Sequence, residues 1–281
     1  MKFSALVKRA YNAVDDALFP KNITCDCCGG ELVAETRYRL CAKCSEKLPM
    51  ISGHICQVCG APINDESDYC IRCQNQESVF ERSRSPLVYE GTAKHLIYEM
   101  KFLGKQYIAE TLGAMMADCF VSNNMSADVI VFVPMTDKEK RKRGFNQAEL
   151  LAREVGERLN IPVLPALVKI KETPPQKELT REDREKNLDG VFKCVFDEIR
   201  RLNVLLVDDI FTTGATSNEC AKALLKGKAK SVNVLTATVT VQKPKGEKSD
   251  DDDDAAKKRK RRRRERLDKN KQDVVIELIK E

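Results

Sequence analysis

Four Cys-x-x-Cys pairs fall between residues 25 and 73: Cys25/Cys28, Cys41/Cys44, Cys56/Cys59 and Cys70/Cys73. Twelve residues separate the first two pairs and ten the last two. A Cys-x-x-Cys turn aims both sulfurs at one point, and two such turns make a closed tetrahedral thiolate site. Soft thiolates in a closed set suit zinc and leave no open position for chemistry. Glycine follows in "CDCCGG" and "CQVCGAP", where it eases the turn. The pairs predict two structural zinc sites, one on Cys25, Cys28, Cys41 and Cys44, the other on Cys56, Cys59, Cys70 and Cys73. Cross-braced pairing satisfies the same spacing. An iron–sulfur cluster is the lesser alternative.

Eight of the twelve cysteines fall in such pairs, and with no export signal expected, metal is a better reading than a disulfide framework. Cys27 reads as a spare inside the first knuckle. Cys119, Cys194 and Cys220 sit in apolar or helical settings and read as core residues. His54 precedes Cys56 and could replace one ligand, a reading disfavoured by eight cysteines already in pairs. A closed zinc site mainly replaces the hydrophobic core that so short a unit lacks. Contact with nucleic acid or a partner is the second reading of this unit.

The 281 residues favour more than one folding unit, and 42% apolar residues support a core. No run is apolar enough for a membrane span. The first twenty residues lack a signal-peptide pattern, so the expected location is cytoplasmic. The expected layout is an N-terminal helix over 1–20, a zinc-binding unit of two four-cysteine sets over 21–80, an α/β domain over 84–242 and a charged tail over 243–281.

Periodicity organises the third region. "VIVFVP" (129–134), "VLLVDD" (204–209) and "SVNVLTATVTV" (231–241) read as strands. "NQAELLAREVGERLN" (146–160), capped by Asn146, and 216–230, breaking near Gly227, read as helices. Alternating strands and helices imply a mainly parallel sheet flanked by helices. Ligands of such sheets bind beyond the strand carboxyl ends, which points to loops 135–145 and 208–216.

In "VLLVDDIFTTGAT", 204–216, a buried strand runs into two acids and a small-residue turn before a helix. Gly214 permits a tight turn, Ala215 is small, and Thr212, Thr213 and Thr216 add hydroxyls. Converging amides and the helix start make a phosphate cradle. Asp208 and Asp209 repel phosphate, so they must hold something else on the same ligand. A sugar phosphate with free cis-hydroxyls satisfies both halves. An ordinary capped turn with solvated acids is the competing reading, disfavoured by two acids at a buried strand end.

In "VPMTDKEKRKRGFNQAELLA", Lys138, Arg141 and Arg143, with Lys140 and Lys142, crowd another strand end, and Gly144 lets the chain turn. Such cations suit a pyrophosphate, with Mg²⁺ between. A solvated charge run is the alternative. The stretch 173–192 reads as a lid, with Gln176, Arg184 and Asn187 as contacts.

Residues 204–216 resemble, over their full length, the phosphoribosyl pyrophosphate (PRPP) signature of type I phosphoribosyltransferases. The resemblance implies that Asp208 and Asp209 hold the ribose 2′- and 3′-hydroxyls and that 212–216 hold the 5′-phosphate. Salvage enzymes for 6-oxopurines carry an Asp base where Thr212 stands, and Thr cannot serve as that base. The order of cysteine pairs, "YEMKFLG", "RGFNQA", "TPPQKELTREDREKN" and "VLLVDDIFTTGAT" resembles the ComF family over about residues 15–242. That family is known for its place in bacterial competence and DNA uptake. Membership implies a type I phosphoribosyltransferase fold with an N-terminal double zinc-ribbon unit, PRPP and magnesium as ligands, and competence-machinery proteins as partners. Phosphoribosyl transfer to an unidentified acceptor is one expectation. A non-catalytic DNA-handling protein that senses PRPP or nucleotide is the other.

The tail has no counterpart in the family pattern. It holds 15 basic and 11 acidic residues, with nine basic residues among 257–266. Such a block gives salt-dependent phosphate binding. Single-stranded DNA or other nucleic acid is therefore an expected partner, through the zinc unit and the tail. A solvated extension is the alternative. "DVVIELIKE", at 273–281, is a short amphipathic run.

Overall fold

A computed structural model describes residues 23–32, 36–64, 66–170 and 190–241. They fall in one compact unit, Met1–Val241. The expected helix over 1–20, the lid contacts Gln176, Arg184 and Asn187, and the charged tail lie outside the described residues.

Two short helices, α1 (Ala42–Glu46) and α2 (Ile71–Gln74), start directly after Cys41 and Cys70, which occupy their N-cap positions. The α/β part then runs β1 (Ser83–Arg84), β2 (Leu87–Val88), α3 (Gly91–Phe102), α4 (Ile108–Ser122), β3 (Val129–Phe132), α5 (Asp137–Arg143), α6 (Gln147–Leu159), β4 (Val163–Leu164), β5 (Leu167–Lys169), β6 (Phe192–Cys194), β7 (Asn203–Phe211), α7 (Ala215–Lys226) and β8 (Ser231–Val239). The main sheet has the order β1-β8-β7-β3-β4, with β2 also beside β8, and every pairing in it is parallel. β5 and β6 pair antiparallel apart from it. This is the expected fold class: a mainly parallel sheet flanked by helices behind an N-terminal pair of four-cysteine groups.

Helices cover both faces of the sheet, which is why Val204 to Val207 form an uninterrupted buried run. Leu205, Val207, Ile130, Phe132 and Leu235 face α3, α4 and α6. Val204, Leu206, Val129, Val131 and Val234 face α7 and the β5–β6 pair. The period of two thus splits each strand between two cores. Truncating one of these residues, such as Leu206→Ala, costs about 2–5 kcal/mol. The four-cysteine groups divide between the same cores: Cys25 packs with the first and Cys56 and Cys59 with the second.

Two segments differ from the expectation. Residues 137–143 form a helix rather than a loop. Thr136 caps Glu139 and Glu139 returns to the Thr136 amide, a complete capping box. Acids fill its first turn and Lys140 to Arg143 its last, which suits the helix dipole, and Gly144 ends it with φ of 88°. The second difference is that β7 runs two residues beyond the expected 204–209, to Phe211. Asp208 and Asp209 are strand residues, and the turn proper starts at Thr212.

Candidate functional site

The sulfurs of Cys25, Cys28, Cys41 and Cys44 lie within 4.8 Å of one another, as do those of Cys56, Cys59, Cys70 and Cys73. The pairing is sequential, not cross-braced. Cys28 and Cys41 sulfurs are 3.8 Å apart, and Cys59 and Cys70 sulfurs 3.6 Å. A tetrahedral zinc with bonds of about 2.3 Å requires edges near 3.8 Å, so both sets fit Zn²⁺. Cys27 is half-buried beside the first set, and His54 bonds the Ser67 carbonyl at 2.7 Å instead of joining the second. Cys119 and Cys220 are buried core residues, and Cys194 is half-buried.

The strand ends open onto a cleft of about 1200 Å³. Asp208, Asp209 and Thr216 line one side of it. Lys138, Lys142 and Arg143 from α5 line another, with Lys101, Phe102, Lys169 and Phe192 around them. Asp209 is only 8% exposed, and Lys101 Nζ reaches its Oδ2 at 2.5 Å. The Asp209 amide donates to Asp208 Oδ1 at 2.8 Å. Burial, and then the charge of Asp209, push the Asp208 carboxyl up to about 7 against the pull of that amide and of Lys101. A recessed carboxyl pair of this kind accepts hydroxyl hydrogen bonds and gains from any added cation.

The turn after β7 is set by Gly214, whose φ is 84°. An added Cβ there would lie 2.8 Å from Phe211 Cζ, so only glycine fits without displacing the ring. Ala215 opens α7, and its amide donates to Thr213 Oγ1 at 3.3 Å. The carbonyl of Phe211 accepts from the Thr240 amide at 2.9 Å. The carbonyl of Thr212 accepts from Thr240 Oγ1 at 3.3 Å and from Arg72 Nη1. Residues 212–214 form the turn, and Ala215 and Thr216 are the first two positions of α7.

"RGFNQA" is legible atom by atom. Arg143 lies over the Phe102 ring at 5.6 Å and donates to Gln147 Oε1 at 2.7 Å. Gly144 ends α5, and Phe145 is buried in the core. Asn146 caps α6 through the Ala148 amide at 3.0 Å and ties back to the Val133 carbonyl at 3.0 Å. Gln147 is 3% exposed in the cleft wall, and its Nε2 has no partner among the described residues. Of the residues assigned to pyrophosphate, Lys138 and Arg143 face the cleft, whereas Arg141 and Gly144 line a separate small depression with Asp137 and Lys140. The helix accounts for this split, because it turns successive cations to different sides.

Comparison with known proteins follows the same parts. A double zinc ribbon domain model matches residues 14–74. Competence protein ComFC of Bacillus subtilis (strain 168) is 31% identical over 212 residues, spanning 70% of this chain and 83% of that protein. The chain belongs to the ComF family. Competence protein F of Haemophilus influenzae is 30% identical over 213 residues, spanning 73% of this chain and 92% of its own. A glutamine PRPP amidotransferase structure from B. subtilis, complexed with ADP and GMP, is 23% identical, with a TM-score of 0.32, over 45% of this chain and 25% of that one. A likeness that distant carries no functional argument.

Three features of this ComF cleft escaped the sequence. Lys101 belongs to "YEMKFLG", but nothing in the stretch shows that it reaches Asp209 from the last turn of α3. Lys169 bridges β5 to Glu139 at 3.2 Å. Burial opposes ionisation of Glu139, yet the Thr136 amide and Lys169 outweigh it and hold the carboxyl below the ordinary range. Arg72 lies in the zinc unit, remote in sequence from the turn that it touches. Among the described residues no helix is long and apolar enough to cross a membrane.

Proposed function

We propose that this ComF-family chain binds PRPP with Mg²⁺ in the cleft and acts in DNA uptake. The observation that carries the reading is the recessed Asp208–Asp209 pair beside the Gly214 turn at the start of α7. The turn suits the 5′-phosphate and the carboxyl pair the ribose hydroxyls. Lys138, Lys142 and Arg143 supply positive charge for the pyrophosphate. Magnesium fits the set: the carboxyls offer hard oxygens, and the raised Asp208 carboxyl marks a place short of positive charge. Bound with the substrate, the ion would neutralise charge on the pyrophosphate.

In transfer, the bond from the anomeric carbon to pyrophosphate breaks and a bond to the acceptor forms. The chain's part is to orient the ribose, place positive charge beside the leaving group, and keep negative charge near the developing cation on the sugar. The lid residues Gln176, Arg184 and Asn187 would exclude water. Competence, in the names of the B. subtilis and H. influenzae relatives, supports the role in DNA uptake.

A second reading keeps PRPP binding and drops transfer. Among the described residues the cleft carboxylates are Asp208, Asp209 and Glu139, and Glu139 is committed to Lys169 and the α5 cap. Thr212 is no base. In this reading PRPP occupancy gates DNA handling by the zinc unit and the tail, with competence-machinery proteins as partners. An assay for released pyrophosphate separates the two: release on adding candidate bases supports transfer, and binding without release supports the sensor. Deleting 243–281 should weaken single-stranded DNA binding and lower its salt slope, by roughly 0.7 per lost phosphate contact. Unchanged DNA binding would remove the tail from the account.

A further inference from the structure

Arg72 stands between ligands Cys70 and Cys73 on α2 and is 3% exposed. Its Nη2 donates to Cys59 Sγ at 3.1 Å. Its Nη1 donates to the Thr212 carbonyl. Its guanidinium lies 5.2 Å from the centroid of the Phe211 ring. That ring meets Phe80 edge-on at 5.9 Å and fills the space beside Gly214. Among the described residues no carboxylate pairs with Arg72. Burying a cation without a partner is costly. Four thiolates around one Zn²⁺ would leave two negative charges, and Cys59, in contact with Arg72, would bring that charge to the guanidinium.

The consequence for the turn follows from peptide geometry. In a planar trans peptide the C=O and the next N–H point in opposite directions. The Thr212 carbonyl is aimed at Arg72 and Thr240, so the Thr213 N–H faces away from the zinc unit. Reversing this peptide would put a carbonyl oxygen where an anion needs a donor. A second contact fixes the same region: Asn218, in α7, accepts from the Val79 amide at 2.8 Å and donates to the Glu77 carbonyl at 3.0 Å.

We infer that Arg72 is a positioning residue through which the second zinc cluster holds the 212–216 turn in its anion-binding form, so that loss of this zinc lowers affinity for the phosphate end of the ligand. The inference rests on the reading of the cleft as a PRPP site. The test uses the full zinc-loaded chain and its Arg72→Met and Arg72→Lys variants. Zinc per chain, PRPP affinity with Mg²⁺ by calorimetry, and amide exchange across 211–218 are measured for each. Arg72→Met should keep two zinc ions, bind PRPP roughly tenfold more weakly and exchange faster in 211–218, with Arg72→Lys between it and the wild type. Wild-type affinity and exchange in Arg72→Met would overturn the inference. Should the variant shed its second zinc, stepwise chelation of the wild type decides: the turn must loosen as that zinc leaves while Val204 to Val207 stay protected, and an unchanged turn refutes the coupling. Should the wild type bind no PRPP, the reading of the cleft fails, and amide exchange alone decides the coupling.

Discussion

The two cysteine clusters share a ligand set and a local design, each with a helix starting on its third cysteine, yet their surroundings differ. The first is bonded to α4. Arg39 reaches Glu110 at 2.8 Å and Asp26 at 3.4 Å, Thr111 donates to Asp26 at 2.6 Å, and Tyr38 donates to Asp118 at 2.7 Å. These contacts join the first ribbon to the face of the sheet that α3, α4 and α6 cover. The second cluster is bonded through Arg72 to the turn that ends β7, and Val79 and Glu77 beyond it are bonded to α7. The first acts as a staple and the second as a buttress. Identical metal chemistry thus serves stability in one place and site geometry in the other, and the neighbours decide which.

The largest effects should come from removing one ligand of each cluster. Cys44→Ser and Cys73→Ser should each lose one zinc and melt at lower temperature, because structural zinc contributes folding energy directly. Only Cys73→Ser should weaken PRPP binding, by roughly a hundredfold, with Cys44→Ser within about threefold. Equal losses in calorimetry would erase the distinction. Arg39→Met should destabilise the chain by about 3 kcal/mol in denaturant unfolding, because it leaves Asp26 buried beside Thr111 alone. Its PRPP affinity should match the wild type.

Gly214→Ala should cost about 1–3 kcal/mol through the positive φ and the Phe211 clash, and should also weaken PRPP binding. A stability loss with wild-type affinity would show that the turn tolerates rearrangement. The smallest expected effect is a gain. The Asp208 carboxyl is raised in the fold to about 7, above an unfolded value near 3.9, so the folded state holds the extra proton between those values. Stability from this group falls as pH rises through that window and stays lower above it. Asp208→Asn should therefore stabilise the chain at pH 8, with the gain closing by about pH 4. A loss at pH 8 would mean that the carboxylate is well compensated without ligand.

The sequence was most legible where one residue type serves one local purpose. The cysteine spacing announced both clusters, because thiolate turns are local. The runs at 129–134, 204–209 and 231–241 announced the buried strands β3, β7 and β8, because both faces are covered. Asn146 announced its helix. The α5 helix was hidden by its own charges, which read as a loop, although Thr136, Glu139 and Gly144 spelled its caps. Lys101, Lys169 and Arg72 were not legible as partners. Each meets its contact across a distance in sequence that only the tertiary fold closes: Arg72 lies 140 positions from Thr212.

The most direct measurement is a calorimetric titration of the zinc-loaded chain with PRPP, with and without Mg²⁺, beside the Asp208→Asn/Asp209→Asn double variant. The account predicts Mg²⁺-dependent binding by the wild type and none by the variant. No binding at millimolar PRPP, or equal binding by the variant, would contradict it.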